Sequence, residues 1–135
     1  MAASMRVEVV SPEKVLFSGE ATQVITRTLS GEIAFLAGHA PFLGALAENH
    51  TRIYLADGTI QDVAVHRGFV EVSHDTVSIL SDTAELGGDI DVARARTAKE
   101  RAEEAVRRGD DDEAAGALAR ANARLNASGA TATAH

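Results

Sequence analysis

The chain has 135 residues and a formal net charge of −7; 45% of it is hydrophobic, only 4% is aromatic, and there is no Trp and no Cys. The length suits one medium domain, or a small domain with an appendage, whose core rests on Val, Ile, Leu and Ala. The missing cysteines exclude disulfides, thiolate metal sites and cysteine catalysis, and the acidic balance argues against a non-specific nucleic-acid binder, which needs Lys and Arg to neutralise phosphates.

Residues 1–6 lack the apolar stretch of a secretory signal, and no apolar run approaches the ~20 residues of a membrane span. Any work at a membrane is therefore expected to go through a partner. Val7 and Val9 alternate with Arg6 and Glu8, which predicts a half-buried strand. Further strands are expected over residues 15–17, over 23–29 ending at Ser30-Gly31, and over 32–36 ending at Gly38-His39. Residues 41–47 fit strand or helix. Residues 51–56 meet 59–65 across Asp57-Gly58, the strongest hairpin signal in the chain, and 69–72 meet 76–80 across His74-Asp75. Short β-branched runs at this spacing predict a β-sandwich of about ten strands over residues 1–88.

The chain changes character at Gly87-Gly88, a natural hinge. Residues 1–88 hold five basic and eleven acidic side chains; residues 89–135 hold eight and nine, and are rich in Ala. Asp89 and Asp91 stand where carboxylates cap free N–H groups, and the run to Val106 consists of good helix formers closing on Arg107-Arg108-Gly109. Asp110-Asp111-Asp112-Glu113 opens a second helix that is expected to reach about Asn126. So short a connection predicts an antiparallel hairpin over residues 89–128. The small, polar tail from Ser128, residues 129–135 above all, is expected to be disordered. The apolar stripe of the first helix is Val92, Ala95, Ala98, Ala102, Ala105 and Val106; that of the second is Ala114, Ala117, Leu118, Ala121 and Leu125. Alanine buries little area, so the hairpin is expected to be stable as helix yet weakly tied to the rest.

Three segments together resemble the epsilon subunits of bacterial F-type ATP synthases. They are Leu29-Ser30-Gly31-Glu32-Ile33-Ala34-Phe35-Leu36-Ala37-Gly38-His39-Ala40-Pro41, then Gly68-Phe69-Val70-Glu71-Val72 with Val77 to Leu80, and then Ile90-Asp91-Val92-Ala93-Arg94-Ala95 continuing to Ala102. Order and spacing agree over about residues 5–126. Ala34 stands where the family usually has glycine, Ala37 where it has proline, and His66-Arg67 precede Gly68 where a pair of glycines is usual. The resemblance implies a non-catalytic rotor (central-stalk) subunit, peripheral on the cytoplasmic face of the bacterial cell membrane. Its sandwich would pack on the gamma subunit and the c-ring and help couple proton flow to rotation. Its hairpin would either fold back or extend toward the catalytic α/β subunits and hinder ATP hydrolysis. Cations at Arg94, Lys99, Arg101, Arg107, Arg108, Arg120 and Arg124 would then meet an acidic surface; the plainer reading is a solvated face balanced by Glu100, Glu103 and Glu104.

The sharpest site this implies is for a regulatory ATP rather than a required cofactor. Ile90, Asp91, Arg94 and Ala95 match the I-D-x-x-R-A motif of ATP-binding members, with Glu85 joining by family position. Arg120 and Arg124 lie four apart on one helix face, where a folded hairpin would aim them at phosphates. The plainer reading is an i,i+3 pair at Asp91 and Arg94 and a solvated arginine face. There is no G-x-x-x-x-G-K-[ST] loop to cradle phosphates for catalysis. His39, His50, His66 and His74 have no paired ligand spacing. Ser73-His74-Asp75 reads as alternating strand residues, not a triad. A small hydrolase with a helical lid would need a nucleophile and base that are not visible, whereas a free-standing adaptor would use the hairpin as an arm.

Overall fold

The computed structural model describes residues 3–109 and 112–130. Among the described residues nine strands are followed by two helices, so the expected mainly-β sandwich with a helical hairpin is the fold observed. The strands are β1 (Met5–Val10), β2 (Val15–Thr28), β3 (Gly31–Leu36), β4 (Phe42–Leu46), β5 (Asn49–Leu55), β6 (Ile60–Val65), β7 (Gly68–Ser73), β8 (Thr76–Leu80) and β9 (Glu85–Leu86). A 3-10 turn (Gly87–Asp89) leads to α1 (Val92–Arg107) and α2 (Asp112–Ser128).

The two strands expected over 15–17 and 23–29 are a single one. β2 runs through Gly19 and bears a register shift between Ala21 and Gln23. Its first half pairs with β1, and its second half with β3 and β5. The bulge bends one long strand so that it serves both layers, which a local pattern cannot show. The ambiguous stretch 41–47 is strand, because β4 fills the gap between β7 and β2. β1 also pairs in parallel with β8, so the sheet curls onto itself around one core. Val7, Val9, Val70, Val77 and Ile79 meet Val24, Phe35, Ile53, Val63 and Val65 there, all fully buried. His39 closes the edge of this core with its ring against Phe35.

The hairpin 55–59 turns through Gly58 at φ +93°, with the Asp57 carboxylate accepting from the Thr59 N–H and hydroxyl. His74 and Asp75 both take left-handed backbone, as a two-residue hairpin turn requires. They are therefore turn residues, not alternating strand residues. The Ser73 hydroxyl reaches His74 Nδ1 at 2.9 Å, but Asp75 turns away to accept from the Gly38 N–H, so the three form no triad.

α1 begins as its sequence suggests: Asp91 Oδ1 accepts from the Arg94 N–H at 3.0 Å. It ends with Gly109 in left-handed backbone. The expected opening at Asp110-Asp111 lies outside the described residues, as do residues 131–135 of the expected tail. α2 runs to Ser128, two residues beyond the expected end, with the Ser128 hydroxyl donating to the Leu125 carbonyl. α1 packs mainly on α2, whereas α2 packs on α1 and also on β5 and β6. Hence α2 has a second buried face, Ala123 and Ala127, absent from the expected stripe, while Val106 of the α1 stripe is exposed.

Candidate functional site

The hairpin meets the sandwich through small residues. Ala123 and Ala127 of α2 cluster with Ala64 of β6, and Ile90 packs against them. Gly87 is buried beneath this contact, and a Cβ on it would collide with the Ala127 carbonyl oxygen. Its glycine character thus serves close helix approach rather than only a hinge.

Beside this patch lies a cleft of about 350 Å³, lined by Glu85, Asp89, Asp91, Arg94, Ala95, Ala98 and Arg124. Five of the seven expected site residues are thereby brought together: Glu85, Asp91, Arg94, Ala95 and Arg124. Ile90 sits next to the cleft with its side chain in the alanine patch. Arg120 is elsewhere. It pairs with Glu113 at 2.9 Å and lines a separate cleft with Glu48, His66 and Arg67. One turn separates Arg120 from Arg124, about 6 Å along the axis, enough to pass from one cleft to the next.

Arg124 Nε donates to Glu85 Oε2 at 2.6 Å, so α2 is tied to β9. The same oxygen takes His66 Nε2 at 2.9 Å, and His66 Nδ1 stands 3.1 Å from Glu48 Oε2. Burial pushes the Glu85 carboxyl up, but the hydrogen bonds and charges of Arg124 and His66 outweigh it and hold the group below the usual carboxylate range. Glu48 and Glu85 lie on opposite ring nitrogens, so these three side chains cannot converge on one ion, and no group of three or more metal-type side chains does so among the described residues. The cleft offers donors at Arg94 and Arg124 and acceptors at three carboxylates. That suits a polar ligand with both an anionic group and hydrogen-bond donors. Its lining holds no Ser, Thr, Cys, Lys or His to act as a nucleophile or imidazole base.

Sequence reasoning missed His66, Glu48 and Asp89. The one signal for His66 was that it stands, with Arg67, where glycines were expected. Glu48 gave none, because only the fold brings residue 48 to residue 66.

A second feature lies on the outer face of β4, β7 and β8. Register sets Phe69 between Ala45 and Leu80, with Phe69 55% and Leu80 42% exposed, and Leu43 lies two residues from Ala45 on the same face at 70%. This is a contiguous apolar patch, not scattered side chains.

Residues 4–87 match the family described as ATP synthase, Delta/Epsilon chain, beta-sandwich domain, and residues 89–129 match its long alpha-helix domain. The chain is 41% identical over 127 residues to the ATP synthase epsilon chain of Streptomyces griseus, covering 94% of this chain and 97% of that one. It is 48% identical over 101 residues to the epsilon chain of Brevibacillus brevis, covering 75% and 76%. In fold it is similar to a chain of the Euglena gracilis mitochondrial ATP synthase, solved with OSCP, F1 and c-ring, at TM-score 0.80 and 21% identity over 95% of this chain and 82% of that one.

Proposed function

The chain belongs to the delta/epsilon chain family of ATP synthase, and from that premise we propose that it works as the complex's non-catalytic epsilon subunit, with a fixed sandwich and a mobile, regulatory hairpin. The sandwich meets the gamma subunit and the c-ring in the central stalk and so takes part in coupling proton flow to ATP synthesis. The patch of Leu43, Phe69 and Leu80 supports this, because exposed apolar surface of that kind is covered by a partner. No helix among the described residues is long and apolar enough to cross a membrane. The reading therefore makes the chain peripheral, held at the cytoplasmic face of a bacterial membrane by its complex.

The observation that carries the regulatory reading is the way α2 is held. Its apolar contact with the sandwich is made of three alanines and the flank of Ile90, and an ion pair ties Arg124 to Glu85. At about 0.8 kcal/mol per buried methyl-sized group, the alanines supply roughly 2–3 kcal/mol, the scale of a switchable equilibrium. Docked, Arg120 and Arg124 are engaged by Glu113 and Glu85. Undocked, Arg124 leaves Glu85 and is free to meet an acidic surface of the catalytic α/β subunits and hinder hydrolysis, while Arg120 keeps its partner on the same helix. ATP in the cleft, held by Arg94 and Arg124 with Glu85, Asp91 and Ala95 around it and Ile90 beside it, would bridge both helices and favour the docked state.

The test is removal of residues 89–135 from the assembled complex. ATP hydrolysis should rise while residues 1–88 still co-purify with gamma. An unchanged rate would refute the regulatory role, and loss of gamma would refute docking by the sandwich.

A further inference from the structure

The exposed apolar patch is the middle of a longer feature. Cross-strand register sets Ala45 of β4 beside Phe69 of β7, Phe69 beside Leu80 of β8, Leu80 beside Val10 of β1, and Val10 beside Val15 of β2. Five neighbouring strands thus each give one apolar side chain to a single row on the outer face. At about 4.8 Å per strand the row is roughly 19 Å long. None of the five is buried, and Val15 at the far end is 55% exposed. Val10, Phe69 and Leu80 also line a groove of about 370 Å³ that crosses the ends of their strands, together with Pro12, Arg67 and Asp82 from the adjoining turns. A row backed by a groove fits a ridge better than a flat surface, because packing at the core of an interface is as dense as a protein interior.

The charges along this row have one sign. The next row on the same face runs from Leu43 through Glu71, Ser78 and Glu8 to Ser18. Arg6 stands 3.4 Å from Glu8 and balances it. Glu71 is exposed and has no ion pair or hydrogen bond among the described residues. The same holds for Asp82, on the groove side of the row. Arg67, the cation on that side, stands 3.6 Å from Glu48. The apolar row is therefore bordered by one unpaired carboxylate on each side.

We propose that this row and groove receive an apolar ridge of the gamma subunit that carries Lys or Arg on both flanks, so that Phe69 and its row neighbours supply the contact area while Glu71 and Asp82 select the partner by charge. This rests on the reading of this face as the place where gamma docks, and adds what the docking segment must be. Apolar area gives affinity with little discrimination. An unpaired rim carboxylate attracts a cationic flank and repels an acidic one, which steers encounter and rejects wrong surfaces. The ridge reaches from β4 to β2, so Val10 and Val15 are as much part of the contact as Leu80.

The test is the association of the full chain with the gamma subunit, measured as rate and affinity at low and at high salt. In the double variant Glu71→Lys, Asp82→Lys the association rate should fall on the order of tenfold at low salt, and the deficit should close near 1 M salt, where the Debye length is about 3 Å. Val15→Asn should weaken binding on the order of tenfold at either salt concentration, as an unpaired amide in a desolvated interface does. All three side chains are exposed, so the melting of each variant should match that of the unaltered chain. Charge reversal without effect on the rate, where Phe69→Asp still disrupts the complex, overturns the basic partner and leaves docking by this face standing. Unaltered binding by Val15→Asn overturns the long row. Gamma held equally well by every variant, Phe69→Asp included, overturns the docking reading itself and the proposal with it.

Discussion

The carbonyl oxygen of Ala127, near the end of α2, occupies the place where a Cβ on Gly87 would stand. Forty residues separate the two, yet their contact decides how closely the hairpin lies on the sandwich. Gly87→Ala must push apart the 3-10 turn and α2, at a cost of about 1–3 kcal/mol as in other overpacked sites. Hydrogen exchange should show α2 losing protection while the strands keep theirs. Gly88→Ala is the control: its Cβ would meet nothing within 4 Å, so protection should not change.

Gly68 makes a different prediction, because it belongs to the sandwich itself. It sits at φ +130°, and a Cβ on it would run into the Leu80 carbonyl oxygen. Gly68→Ala combines backbone strain with a clash against the neighbouring strand, and should cost at least ~2 kcal/mol of global stability in a denaturant melt.

Docking should also fail in acid, through Glu85. Burial pushes its carboxyl up in the docked chain, but Arg124 and His66 outweigh it and hold the group below the ordinary carboxylate range. The sign follows from which state binds the proton more tightly. A carboxylate with a depressed value contributes fully above its ordinary value, and that contribution is lost as the pH falls through the depressed one. Spin labels placed on exposed positions of β7 and α1 should therefore report separation only as the pH falls below the ordinary glutamate range. In Glu85→Gln that acid transition should disappear.

Nucleotide binding separates two arginines on different helices. Arg94 lines the cleft; Arg120 does not. Calorimetry with ATP should show Arg94→Ala weakening binding about tenfold or more, the loss expected for a charge-assisted contact, and Arg120→Ala changing it by less than about threefold. No heat with the unaltered chain at millimolar ATP would sink the ATP reading.

The apolar patch predicts loss of assembly without loss of fold. Phe69 is 55% exposed, so Phe69→Asp removes little buried area from this chain. Its melting should stay close to that of the unaltered protein, while co-purification with gamma should drop sharply, as for an aromatic anchor at an interface centre. Retention of gamma by the variant would place the partner on another face.

Local chemistry alone decided much of this molecule. The hairpin turns at Asp57-Gly58 and His74-Asp75, the cap at Asp91, the stop at Gly109 and the two-part division each rest on a few adjacent residues, because backbone dihedrals and orphan N–H groups are short-range matters. The five residues of the cleft were legible through the family resemblance, helped by Asp91, Arg94 and Ala95 sharing one helical turn. Packing between distant segments decided the rest. Whether residues 15–28 make one strand or two depends on what lies on either side of them, and β9 exists only because β6 offers it an edge. Ala123 and Ala127 look like any other alanines until a sheet lies against them. His66 looked like one of several scattered histidines until the fold placed Glu48 and Glu85 on its two nitrogens. Electrostatic partners are chosen in space, and spacing along the chain carries no record of a contact between residues 48, 66, 85 and 124.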